Sequence, residues 1–239
     1  MLGRALLPLL TDRALVPIDQ ADGLPITDGA ALRAALAGCD AIVHLAALHP
    51  LVAHAGADYD AANVAPFRVL LAVAAATGVR RVVLASSTSV WHDAPKGMPA
   101  RFIDEDSVAD AADDPYAGSK LACEALLRAS SLHGVTLRLA RFAAGESAED
   151  RVRRLYRAVR PADAARAVIH ALDRAATGSM YAIASRTPFR IEDAELLDRD
   201  PAGAIRLRAG FEPEWVPDRI GGVVLTDRAA LDLGWSASP

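Results

Sequence analysis

A parallel β-sheet covered by helices on both faces is the fold class that this sequence predicts. Three observations predict it. Residues 41–45 (AIVHL) and 81–85 (RVVLA) are apolar almost without alternation, as strands buried on both faces require. The stretches between such runs carry helical periodicity. Two of those stretches close on a glycine, Gly78 and Gly134, the residue favoured just past a helix C-terminus.

The elements follow in order. Residues 2–10 read as a helix fragment that opens with no strand before it. Residues 14–18 read as a strand ending at Asp19. Residues 29–37 read as a short helix, with Asp28 placed to cap its first turn. After the strand at 41–45 comes a helix over 59–77, then the strand at 81–85. Residues 115–133 read as a long helix and 135–139 as the next strand. The βαβ alternation of these segments is that of a doubly wound sheet. Beyond it, 161–174 reads as a helix, 180–183 as a strand and 227–233 as a last short helix, with 192–208 left unassigned. No linker composition separates the two parts. The expected organisation is a sheet domain over 1–142 and a short C-terminal lobe over 143–239 packed on it.

With 239 residues, 52% hydrophobic and 23% charged, the chain is long enough for one good-sized globular domain. A net charge of -4 offers no basic field for nucleic acid or an anionic membrane. No apolar run reaches a membrane-spanning length, and the first ten residues lack a signal-peptide pattern. Cys39 and Cys123 are too few for a disulfide framework or a cysteine metal site, which fits a cytoplasmic chain. His49, His54 and His92 have no metal-ligand spacing, so no metal is expected.

The chemistry gathers at few residues. Lys96 and Lys120 are the only lysines among 26 basic residues, so lysine stands where arginine does not serve. Lys120 follows Tyr116 by four residues, which puts both on one helix face. A tyrosine of pKa about 10 is a poor base at neutral pH, and a nearby ammonium lowers it. Reaching about 7 requires roughly 4 kcal/mol of differential stabilisation, more than one lysine supplies. The run Ser86-Ser87-Thr88-Ser89 directly follows a strand, where side chains line the ligand crevice of a parallel sheet. Leu45, Ala46 and Ala47 follow another strand, and small residues there let a dinucleotide approach the backbone. His44 reads as a packed strand-end histidine. A carboxylate at Asp19 suits ribose hydroxyls and repels a 2′-phosphate, favouring NAD over NADP. Asn63 reads as a bridge between helix and sheet. The acidic group Asp104, Glu105, Asp106, Asp110, Asp113 and Asp114 reads as a solvated loop whose end caps the long helix. Trp215 and Trp235 read as lobe packing.

These residues resemble the extended short-chain dehydrogenase/reductase family, the NAD-dependent epimerases and dehydratases. The matches are Ser87, Tyr116 with Lys120, the His44-Leu45-Ala46-Ala47 strand end and Asp19. Tyr59, Asn63-Val64, Leu137-Arg138 and Leu233-Gly234-Trp235 extend the likeness along nearly the whole chain. The resemblance implies a Rossmann-like fold with Tyr116 as catalytic acid/base. It implies that Lys120 binds the nicotinamide ribose and lowers the tyrosine's pKa, and that Ser87 orients the substrate oxygen. Gly3, Asp19, Leu45, Ala46, Ala47, Asn63 and Ser86 would contact NAD. A homodimer through the two long helices would be family-like.

The sequence departs from the family in three ways. Met1-Leu2-Gly3-Arg4 resembles only the tail of the glycine-rich fingerprint, so the expectation is a natural start roughly ten residues upstream. Leu139-Ala140-Arg141-Phe142 lacks the usual proline or aromatic and the following asparagine. The C-terminal lobe is short. The last two favour a substrate smaller than a UDP-sugar, and the serine run lacks the Asp-Glu pair of the dehydratases. The implied activity is NAD-dependent oxidation or epimerisation at a hydroxyl of a sugar-like or other small polyol. Two alternatives stay open: a non-catalytic dinucleotide-binding scaffold or sensor, and an NADPH-dependent reductase of a small carbonyl compound.

Overall fold

The computed structural model describes residues 1–19, 26–53, 55–110 and 114–238. Four parallel strands form the central sheet: β1 (Ala41–His44), β2 (Arg81–Ser87), β4 (His133–Leu139) and β7 (Met180–Ile183), side by side in that order. Their register is continuous, with His44 opposite Leu84 and Ser87 opposite Leu139. His44, Ser87, Leu139 and Ile183 therefore end on one edge.

Helices cover both faces, because adjacent side chains of each strand point to opposite sides. Val83, Ala85, Val135 and Leu137 pack on one face with α1 (Leu2–Leu6), α6 (Pro161–Arg174) and α9 (Asp227–Leu233). Val82 and Leu84 pack on the other with α2 (Gly29–Ala35), α3 (Ala65–Thr77) and α4 (Pro115–Ala129). The stretch Asp60–Thr77 has the length and mean hydropathy, 1.2, of a membrane span. It consists of a π-helical turn at Asp60–Val64 and α3, which buries Phe67, Leu70, Leu71 and Val73. Gly78 ends α3 in the left-handed conformation, φ 81°, that glycine adopts without strain.

The remaining elements extend the carboxyl edge of the sheet. β3 (Arg101–Ile103) pairs in parallel with β8 (Gly222–Val224), and β5 (Arg141–Phe142) with β6 (Ala158–Val159). With α5 (Ala148–Arg154), α7 (Ala194–Arg199) and α8 (Pro201–Ala209) they enclose a separate cluster around Leu197, Ile205, Ile220 and Val223. The unassigned stretch 192–208 thus holds two short helices. Trp235 is buried and donates its indole N–H to the Asp163 carbonyl at 3.0 Å.

Three expectations need correction. Residues 14–18 form no strand, because among the described residues they pair with no neighbour; Ile18 packs against the core. Among the described residues, β1 has no partner on its outer side. The long helix ends at Ala129, not at 133. There Ser130 turns its hydroxyl back to the Leu127 carbonyl at 2.7 Å and stops the ladder. Gly134 lies instead in β4, where a Cβ would meet Leu127 Cγ at 2.6 Å. Finally, Glu105 is not solvated: it is buried and accepts the Ala182 N–H at 2.8 Å, satisfying the free edge of β7. His54 and Asp113 lie outside the described residues.

Candidate active site

The site is built where α4 crosses the carboxyl end of β2. Asp114 caps the helix, accepting the N–H groups of Tyr116 at 2.9 Å and Ala117 at 3.2 Å. Pro115 at the first helical position presets the backbone. The cap fixes Tyr116 in the first turn and Lys120 one turn on. Both are buried, 6% and 4% exposed. The Lys120 ammonium donates to the Ala85 carbonyl at 2.9 Å and lies 5.7 Å from the centre of the Tyr116 ring. β2 then delivers Ser87 beside Tyr116, its hydroxyl accepting from the Ser89 N–H at 3.1 Å and the Ser89 hydroxyl at 2.9 Å. The three residues singled out for chemistry are thus brought together.

Electrostatics define the resting state. Burial pushes the Tyr116 hydroxyl up to about 12, with the Ser87 hydrogen bond pulling the other way and Asp114 and Tyr59 adding to the rise. Burial also lowers Lys120, which Cys123 and Glu124 partly oppose. The protein groups alone therefore keep Tyr116 protonated at neutral pH. Lys120 by itself does not make Tyr116 a base.

Aromatic rings frame Tyr116. His49 meets it edge to face at 5.2 Å and Tyr59 at 5.8 Å. Burial, with Lys120 and Arg141 nearby, lowers the His49 pKa. Its Nδ1 accepts the Leu51 N–H at 3.2 Å, so the neutral ring carries its proton on Nε2. Sequence reading noticed His49 only as lacking metal spacing; its position four residues after a strand end was the usable signal.

The other predicted residues fall as follows. Leu45, Ala46 and Ala47 leave β1 on the same edge, and Gly3 in α1 lies beside Leu45, its absent Cβ 3.8 Å from Leu45 Cδ1. Asn63 is buried, with Oδ1 accepting the Leu48 N–H at 2.7 Å and Nδ2 donating to Ser119 Oγ at 3.0 Å. Its side chain holds the loop after β1 against α4. Ser86 is buried and donates to Glu124 at 2.5 Å, so its hydroxyl points into the protein rather than to the crevice. Asp19 is exposed and, with residues 14–18 irregular, ends no strand. His44 is stacked on Phe67 at 4.6 Å, and burial lowers it to about 3. A cleft of about 490 Å³ lies elsewhere, at the far end of α4, lined by Arg128, Glu105 and Arg228; none of the catalytic candidates touches it.

A parallel sheet covered by helices on both faces, with a serine at a strand end beside a Tyr-Lys pair on the crossing helix, defines a Rossmann-like α/β protein. The chain belongs to the NAD dependent epimerase/dehydratase family, whose model matches residues 3–162. No curated protein gives a significant match. Solved structures share the fold over the whole chain. A short-chain dehydrogenase/reductase superfamily protein from Agrobacterium tumefaciens, with bound NAD, is 22% identical with a TM-score of 0.70, covering 100% of this chain and 90% of its own. UDP-N-acetylglucosamine 4-epimerase from Bacillus cereus is 21% identical with a TM-score of 0.69, covering 100% and 90%. RMD from Pseudomonas aeruginosa, complexed with NADPH, is 20% identical with a TM-score of 0.69, covering 100% and 91%.

Proposed function

We propose that the chain is an NAD-dependent oxidoreductase or epimerase acting on a hydroxyl of a sugar-like or other small polyol, in the cytoplasm. The observation that carries this reading is the meeting of Tyr116, Lys120 and Ser87 at the carboxyl end of β2. The central sheet, to which residues 1–142 and also β7, α6 and α9 contribute, would hold the cofactor, and the separate cluster around Leu197, Ile205, Ile220 and Val223 would lie over the substrate.

The residues fit the nicotinamide half of a dinucleotide. An ammonium has three donors, and Lys120 gives one to Ala85, leaving two for ribose hydroxyls. Ala46 and Ala47 leave room at the end of β1, and Gly3 lies beside it. When bound, NAD supplies positive charge and the acceptor for the hydride that leaves the substrate carbon as its C–O bond becomes a carbonyl. Ser87 donates to the substrate oxygen and fixes its direction. Tyr116, its own proton released to solvent when the cofactor's charge is in place, would accept the hydroxyl proton of the substrate. Lys120 holds the phenolate's charge through the transfer. In an epimerase the same groups would return the proton to the oxygen as the hydride comes back from the reduced nicotinamide to the opposite face of the turned-over carbonyl.

The test is a panel of free and nucleotide-linked sugars and polyols, followed by nicotinamide absorbance and by the stereochemistry of recovered substrate. Turnover by the parent protein, absent in Tyr116→Phe, is the expected result. Equal rates in the two would overturn the reading.

A further inference from the structure

Glu124 and Arg138 form a buried ion pair that the proposed chemistry does not use. Glu124 lies on α4, one turn past Lys120 and on the same face. Its side chain is 3% exposed and that of Arg138, on β4, 5%. The guanidinium grips the carboxylate with two bonds, Nε to Oε1 at 3.0 Å and Nη2 to Oε2 at 2.7 Å. Oε1 also accepts the Ser86 hydroxyl at 2.5 Å.

Those bonds converge on the segment that makes the site. Ser86 stands between Ala85, whose carbonyl holds Lys120, and Ser87, which lies beside Tyr116. Arg138 also lies over Trp91, its Cζ 4.5 Å from the ring centre. Trp91 closes the turn that Ser87 opens, and its indole N–H is anchored on the Ser107 carbonyl at 3.1 Å. One pair therefore ties α4, β2, β4 and the serine turn together. A buried ion pair adds little stability over an apolar pair of the same volume, yet it accepts only one geometry.

We propose that Glu124 and Arg138 are positioning residues that set the height of α4 against the end of β2, and so the placement of Lys120 and Tyr116 relative to Ser87. The proposal rests on the functional reading above. It concerns residues that would touch neither substrate nor cofactor and would act through Ser86, Ala85 and Trp91.

The test compares the parent with Glu124→Met/Arg138→Met, which replaces the pair by apolar side chains of similar length, and with Glu124→Gln, which keeps an acceptor for Ser86. Folding is followed by thermal melting, turnover by kcat and KM, and Lys120 directly by carbon NMR of labelled lysine. Only two lysines are present, and exposed Lys96 is the internal reference. The expected result is a folded double variant whose kcat falls about 100-fold with KM little changed, the loss typical of a catalytic group displaced by about 1 Å. The Lys120 resonance moves while that of Lys96 does not, and Glu124→Gln recovers most of kcat. A folded double variant with parental kcat and parental Lys120 signal overturns the proposal and makes the pair a packing element. If the double variant does not fold, Arg138→Lys, which keeps the charge and loses the fork, decides by the same readouts. A parent without turnover refutes the functional reading; the Lys120 signal then decides the positioning by itself, and an unmoved signal overturns it.

Discussion

The Lys120 ammonium donates to the Ala85 carbonyl at 2.9 Å, two residues before Ser87 on the same strand. This bond places a buried cation at the strand end where Ser87 stands beside Tyr116. The consequences of that placement are measurable.

Arginine does not replace Lys120. The ammonium is 4% exposed, and a guanidinium fork is larger and more rigid. Lys120→Arg and Lys120→Met should each lower kcat about 100-fold or more, the usual scale for loss of a group serving acid–base transfer. Steady-state kinetics beside thermal melting separates this from unfolding; near-parental kcat in Lys120→Arg would show that charge alone suffices.

Asp114 caps the helix that carries Tyr116. Asp114→Ala should cost about 1 kcal/mol of stability and lower kcat, because the freed first turn no longer holds the tyrosine at Ser87. Asp114→Ser, which can still accept the two N–H groups, should restore both. Denaturant unfolding and turnover of the two variants check this.

His44 makes stability depend on pH. Burial depresses it to about 3 in the folded chain, while an unfolded histidine titrates near 6.5. Between those values the unfolded state binds more protons, so stability is full above about 6.5 and is lost as pH falls toward 3. The slope from this one group is at most about 1.4 kcal/mol per pH unit. His44→Phe should flatten the parent's loss over that window, read as denaturant-derived stability against pH. Parallel curves for parent and variant would mean that His44 charges freely in the fold.

Phe67 is completely buried beneath His44, between α3 and the sheet. Phe67→Ala should destabilise by about 3–5 kcal/mol, the range for emptying an aromatic site in a core. Thermal or denaturant unfolding gives the value directly.

Much of this was legible in the sequence where a segment's local pattern and its burial agree. The strand at 180–183 and the helices over 161–174 and 227–233 match the observed bounds. The Tyr116–Lys120 spacing and the strand end at Ser87 foretold that these residues come together in the candidate site, because helical period and strand direction fix both. Residues 14–18 misled because strand character in LVP-type apolar runs becomes a strand only beside a partner. The helix end at Ala129 was hidden by a competing glycine; a serine side chain, not Gly134, stops it. Glu105 and Glu124 were unreadable as buried groups, since a carboxylate's burial depends on long-range donors, Ala182 and Arg138. Glu124 did carry a signal, its spacing of four from Lys120 on the catalytic face.

The central claim is that Lys120, Tyr116 and Ser87 serve a bound nicotinamide dinucleotide. Calorimetric titration of NAD and NADH into the 239-residue protein and its Lys120→Met variant tests it most directly. The account predicts saturable binding to the parent, weakened about tenfold or more in the variant, the scale of a hydrogen bond to a charged group. No binding by the parent, or identical affinities in parent and variant, would contradict it.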